Sequence, residues 1–478
     1  MRRTCGWLLG ALAVVSYLIA PAPASAAAQM ARSPAIGHLL LSGTGLPQGW
    51  KQQAVPKSND TTKLACLGAL ETPPKGWHHR VGLFVSGKGL PFVSEGLATG
   101  PGVARIWRGV RNGLVRCRSA TITINGKVDR AQISRLSFST SHATTVVASH
   151  WQLSATGLAL GIDVFIFHVH RVLGVLSYTD VGTADAKNAA AFATAAIAKA
   201  DGGSGTVTGV VDVATAPVRV AHTRDGAVGY RTVGSGPPLV LVMGFAGTME
   251  TWEPAFVDAL AHEFEVVLFD NAGVGRTAAL RAPLTIDAMA QQTSALVSAL
   301  HLGAPDVLGW SMGGLIAEAF AALHPAQVHR LVLCATYPGT GALRAPQSAV
   351  DDLEGGGSKA LAVLFPPAAG AAAAAFGVQT SQYLVSTSAP PKVVAAQAKA
   401  ILGAWAGQDP GLRRFRHITA PTLVADGTVD RLVPLQNAHR LVAGVHGSKL
   451  ALYKGAGHAF LFQDAGAFVP AVESFLAG

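Results

Sequence analysis

Residues 306–323 read DVLGWSMGGLIAEAFAAL and combine a short apolar strand, a sharp turn and an apolar helix. The strand pattern covers Asp306–Leu308, and the helical pattern runs over Met312–Leu323. Between them, Gly309–Gly313 matches G-x-S-x-G with Ser311 at its centre. In a turn of this kind the serine adopts a strained backbone, and its hydroxyl projects beyond the sheet edge at the positive end of the helix. The pattern predicts a nucleophilic serine at position 311.

Strand and helix patterns alternate on both sides of this stretch. An apolar run at 239–243 is typical of a buried parallel strand, and a helical pattern covers 286–300. The other predicted strands are 218–223, 228–233, 265–270, 330–336, 421–426 and 449–453. Such alternation indicates an α/β fold with a mainly parallel sheet, in which functional groups gather at the carboxyl ends of the strands.

A serine hydroxyl needs a base, and the base needs a carboxylate that orients it. His458 lies in a glycine-flanked loop directly after the last predicted strand, so it is the candidate base. Asp430 follows the strand 421–426 and is the preferred acid, while Asp426 is its competitor. Asp426 still belongs to the strand, and the turn at Gly427 redirects the chain, so Asp426 is expected to support the loop. The order Ser, Asp, His is that of α/β-hydrolases.

On these motifs, residues 218–476 resemble a serine α/β-hydrolase of the lid-bearing esterase, lactonase and haloperoxidase-like branch. Residues 243–246 (MGFA) resemble the oxyanion loop of that family, with Met243 where histidine is usual. The resemblance implies that the backbone N–H groups of Phe245 and Met312 form the oxyanion hole. Residues 269–277 resemble the loop after the fourth family strand, with Ala272 where arginine is common, so a structural salt bridge is expected to be absent.

A serine at the turn excludes dehalogenase and epoxide-hydrolase chemistry, since those relatives carry an aspartate there. What remains is acyl transfer without a metal or an organic cofactor. The predicted activity is hydrolysis of a carboxylic ester, with lactonase, perhydrolase and peptidase variants of the same chemistry as alternatives. A rival from another class is a non-catalytic sensor or binding protein of the cell envelope with a degenerate hydrolase pocket.

Residues 337–412 interrupt the alternation and are predicted to form a helical lid over the site. The stretch is rich in alanine and bulky apolar side chains, which suits an apolar or uncharged acyl substrate. The same side chains would also serve simply to pack the lid onto the core. Cys334, at the end of an apolar strand, is predicted to be a buried free thiol.

Residues 1–26 have the three-part layout of a secretory signal peptide. Arg2 and Arg3 precede an apolar run over Trp7–Ala20, and Ala24–Ala26 (ASA) is an A-x-A cleavage site. The run is shorter than the roughly 20 residues that span a bilayer, although an uncleaved membrane anchor is the alternative. The mature protein is therefore expected outside the cytoplasm, secreted or at the cell envelope.

The 478 residues are enough for two or three domains, and 50% of them are hydrophobic, which excludes a disordered chain. We predict a β-rich α+β accessory domain at 31–200, a linker at 201–216 and the α/β domain at 217–478. Strand patterns occupy 120–125, 132–139, 144–153 and 158–178, and residues 184–200 have a helical pattern. This half weakly resembles extracytoplasmic sensor and lipoprotein domains of actinobacterial envelopes.

Charge and cysteines separate the accessory domain from the rest of the chain. Residues 31–205 hold 18 Lys+Arg and 8 Asp+Glu, a net charge of +10, whereas residues 206–478 hold 17 and 19. Five arginines between 105 and 118 make an anionic envelope surface a candidate partner; a solvated face without a partner is the alternative. Nucleic acid is a poor partner for an exported chain. Cys66 and Cys117 are expected to form a disulfide after export, or else to remain two buried thiols.

Overall fold

The computed structural model describes residues 34–55, 61–63, 76–124, 127–142, 144–155 and 158–478. The signal-peptide layout lies outside these described residues. The chain forms two compact units, Met1–Val210 and Val211–Gly478. Each unit has its own sheet and its own hydrophobic core.

The described part of the first unit contains one antiparallel sheet of nine strands, in the order β1-β3-β4-β9-β8-β7-β6-β5-β2. The strands are β1 (Trp50–Gln53), β2 (Thr61–Lys63), β3 (His78–Ser86), β4 (Phe92–Thr99), β5 (Ser119–Ile124), β6 (Lys127–Arg135), β7 (Thr145–Ala155), β8 (Leu158–Val169) and β9 (Val172–Val181). The interpretation of 158–178 as one stretch was wrong, because the chain reverses at His170, whose φ is 51°. The residues on either side pair as the hairpin β8–β9.

Two helices pack on this sheet, α1 (Val103–Leu114) and α2 (Ala186–Ala200). The Asp185 carboxylate caps α2 by accepting hydrogen bonds from the N–H groups of Lys187 and Asn188. Phe192 and five alanines of α2 are buried against the sheet, in a core that includes Tyr178 and Trp50. Alanine therefore brings the helix close to the strands.

Two residues within the predicted linker, Val207 and Val213, are packed. Val207 is buried in the core of the first unit and donates its N–H to the carbonyl of Gly45 at 2.8 Å. Val213 is buried in the second unit and donates its N–H to Asp258 Oδ1, also at 2.8 Å. The change from one unit to the next is thus confined to the residues around Val210 and Val211.

The second unit contains an eight-stranded sheet in the order β10-β11-β13-β12-β14-β15-β16-β17. Its strands are β10 (Arg219–Thr223), β11 (Gly226–Val233), β12 (Pro238–Val242), β13 (Glu265–Phe269), β14 (Asp306–Trp310), β15 (Leu331–Cys334), β16 (Thr422–Gly427) and β17 (Lys449–Tyr453). β10 and β11 form an antiparallel edge. The other six strands, β12 to β17, are parallel to one another. The predicted α/β fold with a mainly parallel sheet is confirmed.

Helices cover both faces of this sheet. They are α3 (Pro254–Ala261), α4 (Ile286–Ala299), α5 (Met312–Leu323), α6 (Gln347–Glu354), α7 (Gly357–Leu364), α8 (Gly370–Thr380), α9 (Pro391–Trp405), α10 (Pro410–Arg413), α11 (Gln436–Gly444), α12 (Phe460–Gln463) and α13 (Ala465–Ala477). Successive residues of β12 show why both faces need cover. Leu239 and Leu241 join the cluster that contains α3, while Val240 and Val242 join the cluster of α4 and α5.

The lid, residues 337–412, holds α6 to α9 and most of α10, and it connects two neighbouring strands, β15 and β16. Because these strands pair directly, the insertion leaves the sheet unbroken and lies beyond its carboxyl edge. No single helix in the described residues is long and apolar enough to cross a membrane. Gly357–Leu364 and Pro367–Thr380 reach that length and hydropathy only together, with a bend of 105° between them.

Candidate active site

Ser311 occupies the turn between β14 and α5 with φ 58° and ψ −122°, a positive-φ conformation that is rare outside glycine. The two flanking glycines allow this tight turn. A Cβ on Gly309 would lie 2.3 Å from the carbonyl oxygen of Gly313, and one on Gly313 would lie 2.0 Å from that of Val242. Neighbouring backbone holds the turn, since the N–H of Ser311 donates to the carbonyl of Cys334 at 2.9 Å.

His458 and Asp430 form a buried pair beside this turn. The Nδ1 of His458 lies 2.7 Å from Oδ2 of Asp430. The other carboxylate oxygen, Oδ1, accepts the N–H groups of Leu432 and Val433 at 2.7 and 2.9 Å. With Nδ1–H bonded to the carboxylate, Nε2 of His458 is left as the proton acceptor. Trp310 also holds the histidine, because its Nε1–H donates to the His458 carbonyl at 3.0 Å.

Asp426 is fully buried behind this pair, within β16. Its Oδ1 accepts the N–H of Gly427 at 2.8 Å. Burial, followed by the negative charge of Asp430, raises the pKa of Asp426 well above its usual range. Of the two candidate acids, Asp430 is the one in contact with His458, and Asp426 lies behind it without contacting the ring.

Ser311 and His458 line one small cavity of about 90 Å³, together with Gly244 and Phe245. In the described part of the chain, no hydrogen bond joins the Ser311 hydroxyl to the His458 ring. Hydrogen bonds of this type are often long in a site without substrate and shorten when the substrate binds.

The two predicted oxyanion donors lie next to Ser311. Phe245 lines the small cavity, and both Phe245 and Met312 line a larger one that Ser311 also borders. Within the described residues, the backbone N–H groups of Phe245 and Met312 have no acceptor in the protein. Two unpaired donors at the first residue of α5 and in the facing loop can bind an oxygen that carries negative charge.

The larger cavity extends from Ser311 under the lid and has a volume of about 300 Å³. Its walls are mostly apolar and come from both the core and the lid: Leu315, Tyr337, Val350, Leu353, Ile401, Leu402, Trp405, Leu432 and Val433. The Tyr337 hydroxyl is used within the protein, because it donates to the Leu432 carbonyl. Arg344, Gln347 and Glu354 add polar groups to the lining.

The cysteines are only partly within the described chain. Cys334 is free and fully buried, as predicted, and burial raises the pKa of its thiol. Cys117 is buried, but Cys66 lies outside the described residues, so their pairing stays a prediction. No group of three or more His, Cys, Asp or Glu side chains in the described residues is placed to hold a metal ion.

Several residues around the site carried no sequence signal. Trp310 holds His458, and the Thr336 hydroxyl donates to the Ser311 carbonyl at 2.7 Å. A buried ion pair also exists where none was expected: Nη2 of Arg231 lies 3.3 Å from Oε1 of Glu250. Each contact joins residues 19 or more positions apart, and no local pattern encodes such a contact.

Comparison with known proteins agrees with this architecture. Residues 237–465 match the family model of the alpha/beta hydrolase fold. RutD of Variovorax paradoxus, a carbamate hydrolase by its provisional name, is 30% identical over 249 residues, which cover 51% of this chain and 92% of that protein.

Two further relatives match over a similar length. The poly(3-hydroxyalkanoate) depolymerase of Ectopseudomonas oleovorans is 28% identical over 50% of this chain and 84% of its own length. An uncharacterized protein of Mycobacterium tuberculosis is 28% identical over 52% of this chain and 77% of its own length. With this sheet, this serine turn and these relatives, the chain belongs to the α/β-hydrolase fold family.

Proposed function

We propose that this protein is an exported serine hydrolase that cleaves a carboxylic ester or a related acyl bond through an acyl-enzyme. One observation carries the proposal: Ser311, at positive φ, borders the same cavity as His458, whose Nδ1 lies 2.7 Å from Asp430. The names of two relatives, a poly(3-hydroxyalkanoate) depolymerase and a protein provisionally named a carbamate hydrolase, support acyl-bond hydrolysis as the class of reaction.

In the first half of the proposed reaction, Oγ of Ser311 attacks the carbonyl carbon while Nε2 of His458 takes the hydroxyl proton. The carbonyl π electrons move to oxygen, which receives hydrogen bonds from the N–H groups of Phe245 and Met312. Each such donor is typically worth about 3–4 kcal/mol in the transition state. The oxyanion then collapses, the bond to the leaving oxygen breaks, and His458 gives its proton to that oxygen.

In the second half, a water molecule attacks the acyl-enzyme. His458 takes a proton from the water, the same N–H groups hold the second oxyanion, and the Ser311–acyl bond breaks. The proton returns to Oγ, and the carboxylic acid leaves. The Asp430 carboxylate stabilises the imidazolium that forms twice in the cycle.

An apolar acyl group fits the larger cavity best. Its volume of about 300 Å³ and its mostly aliphatic and aromatic walls favour burial of a medium-length or aromatic acyl chain. Esters, lactones and amides share the carbonyl chemistry, so a panel of p-nitrophenyl esters of graded chain length, lactones and peptides would separate the variants.

Ser311→Ala tests the proposal. The variant should fold and lose nearly all ester hydrolysis, because only binding and the oxyanion donors would remain. Ser298→Ala, a serine on the exposed side of α4, is the matched control and should hydrolyse esters like the wild type. Near-wild-type turnover by a folded Ser311→Ala protein would mean that Ser311 is not the nucleophile. A folded wild-type protein that hydrolyses no member of the panel would favour the non-catalytic envelope-protein alternative.

We further propose that the chain is exported and that Cys66 and Cys117 form a disulfide. The signal-peptide layout of residues 1–26 supports export, and the burial of Cys334 keeps a third thiol from competing. The amino terminus of the mature protein should follow Ala26. Peptide mapping without reduction should find the linked pair; two alkylatable thiols at these positions would contradict the disulfide.

The basic side of the first unit is our proposed contact with an anionic envelope surface. Helix α1 buries Val103, Trp107 and Val110 and exposes Arg105 and Arg108 on its other side. Arg116 and Arg118 follow in the next loop, also exposed. Such a patch attracts anionic lipid headgroups, and salt screens the attraction over about 8–10 Å.

A further inference from the structure

The loop that carries Phe245 is held in place by three buried side chains. Asn271 donates from Nδ2 to the carbonyl of Met243 at 2.8 Å, where the loop begins. Asp270 accepts the N–H of Met249 on Oδ1 at 2.8 Å, where the loop ends. Both side chains follow β13 and belong to the core of the unit. They fix the two ends of the loop but not its centre.

The third side chain, Gln397, holds the centre and comes from the lid. It lies on α9, 151 residues from the loop, and its Oε1 accepts the N–H of Ala246 at 2.8 Å. Ala246 has a φ of 57°, a conformation that costs energy for any residue except glycine. A surrounding contact is therefore needed to keep this peptide in place, and the glutamine supplies it.

The position of Ala246 links this hydrogen bond to the oxyanion donor. Ala246 directly follows Phe245, and its N–H belongs to the peptide plane on the carboxyl side of Phe245. Asn271 holds the carbonyl of Met243 on one side of Phe245, and Gln397 holds the N–H of Ala246 on the other. Because both neighbouring peptide planes are held, the backbone cannot easily rotate the Phe245 N–H away from Ser311.

Gln397 does more than fill space. Its side chain is fully buried, and within the described residues its Nε2 has no hydrogen-bond partner. An unpaired buried amide destabilises the folded state, and an aliphatic side chain of similar volume would avoid this cost. The aliphatic side chain could not accept the N–H of Ala246. The orientation of the amide is also fixed, because only its oxygen can accept.

We propose that Gln397 is a positioning residue that acts through Ala246 to keep the Phe245 N–H aimed at the oxyanion. Lid helix α9 is thereby coupled to the oxyanion hole, so the site is complete only when that helix is seated. The inference rests on the proposed acyl-transfer function, and it adds a lid residue to the machinery that stabilises the transition state.

Gln397→Leu is the test, measured on the full chain with a soluble p-nitrophenyl ester. We expect kcat to fall about 10- to 100-fold, below the loss of up to about 1,000-fold for a missing oxyanion donor, with KM changed less than about threefold. Affinity for a boronic acid, which forms a tetrahedral adduct on Ser311, should fall in parallel with kcat. Gln397→Glu keeps an acceptor oxygen and should recover part of the loss.

Gln379→Leu is the matched control. Gln379 is also a buried glutamine of the lid, on α8, and its Oε1 accepts the N–H of Ala255 at 3.3 Å. It should keep kcat within about twofold, because it does not contact the Phe245 loop. If Gln397→Leu behaves like this control while Ser311→Ala is inactive, the positioning role is wrong and the proposed function stands.

Other outcomes remain decisive. If Ser311→Ala retains turnover, the proposed function itself fails. If Gln397→Leu does not fold, Gln397→Met and Gln397→Glu replace it. Equal kcat in those two variants would contradict the role, since only glutamate keeps an acceptor for Ala246.

Discussion

Each unit of this chain contains a His–Asp pair at the same distance; the histidine is partly exposed in the first unit and buried in the second. Nδ1 of His150 lies 2.7 Å from Oδ1 of Asp163 in the first unit, and Nδ1 of His458 lies 2.7 Å from Oδ2 of Asp430 in the second. His150 and Asp163 are cross-strand neighbours within β7 and β8, far from the strand ends. The Nε2 of His150 lies 3.4 Å from Oε1 of Gln152.

The sheet topology explains why the second pair shares a cavity with a serine that lies at a strand end. In an antiparallel sheet, successive strands end at opposite edges, so chemically useful loops are spread apart. In the parallel sheet, β14, β16 and β17 all end at one edge, which gathers Ser311, Asp430 and His458. A His–Asp pair is therefore a candidate base only where the topology brings a nucleophile to it.

The largest effect that separates the two pairs should come from their aspartates. Asp430→Asn should lower kcat for ester hydrolysis about 10,000-fold, because His458 loses the carboxylate that sets its tautomer. Asp163→Asn removes the equivalent partner of His150 and should leave kcat within about threefold. Steady-state kinetics on both folded variants makes the comparison. A large loss with Asp163→Asn would give the first unit a part in the reaction.

The second effect concerns surface charge. Replacing Arg105, Arg108 and Arg116 by glutamine should weaken binding to anionic vesicles about 100-fold at low salt, at about 1 kcal/mol per arginine. Ester hydrolysis should not change. Co-sedimentation measures the binding, with a control variant that loses three exposed arginines of the second unit: Arg219, Arg281 and Arg414. Equal loss in both variants would mean that only net charge matters.

A third effect sharpens the contrast between Asp430 and its buried neighbour. The folded-state pKa of Asp426 is raised above its usual value of 3.8, so the folded protein holds this proton more tightly than the unfolded chain. Wild-type stability should therefore fall as pH rises above about 4 until Asp426 ionises in the folded state, by up to about 1.4 kcal/mol per pH unit.

Asp426→Asn removes that contribution. The variant should gain stability relative to the wild type between pH 5 and pH 8, and urea unfolding at both values measures the difference. Its kcat should stay close to the wild-type value, because Asp430 still contacts His458. If the stability difference between the variant and the wild type does not depend on pH in this range, Asp426 is already ionised in the folded wild-type protein and the prediction is wrong.

The smallest effect on hydrolysis should follow removal of the first unit. A chain that starts at Val211 keeps the whole cavity, the lid and the buried contact of Val213 with Asp258. Its kcat/KM for small soluble esters should lie within about threefold of the full-length value. Binding to anionic vesicles should disappear. A folded truncated chain without hydrolysis would show that the first unit contributes to the reaction.

Local signals predicted the second unit well and the first unit less well. The apolar run at 239–243 predicted β12, because a strand buried on both faces needs apolar residues throughout. The reversal at His170 was missed, since neither glycine nor proline marks it. Gln397 was also missed, because its contact with Ala246 depends on how the lid folds back over the sheet.

Covalent labelling of the full-length protein tests the central claim most directly. A fluorophosphonate should modify one residue, Ser311, and mass spectrometry of the peptide that contains Gly309–Gly313 should find the added mass. Labelling should be lost in Ser311→Ala and greatly slowed in Asp430→Asn, because an unactivated serine reacts poorly. Absence of labelling in the folded wild-type protein, or modification at another residue, would contradict the assignment of Ser311 as the nucleophile.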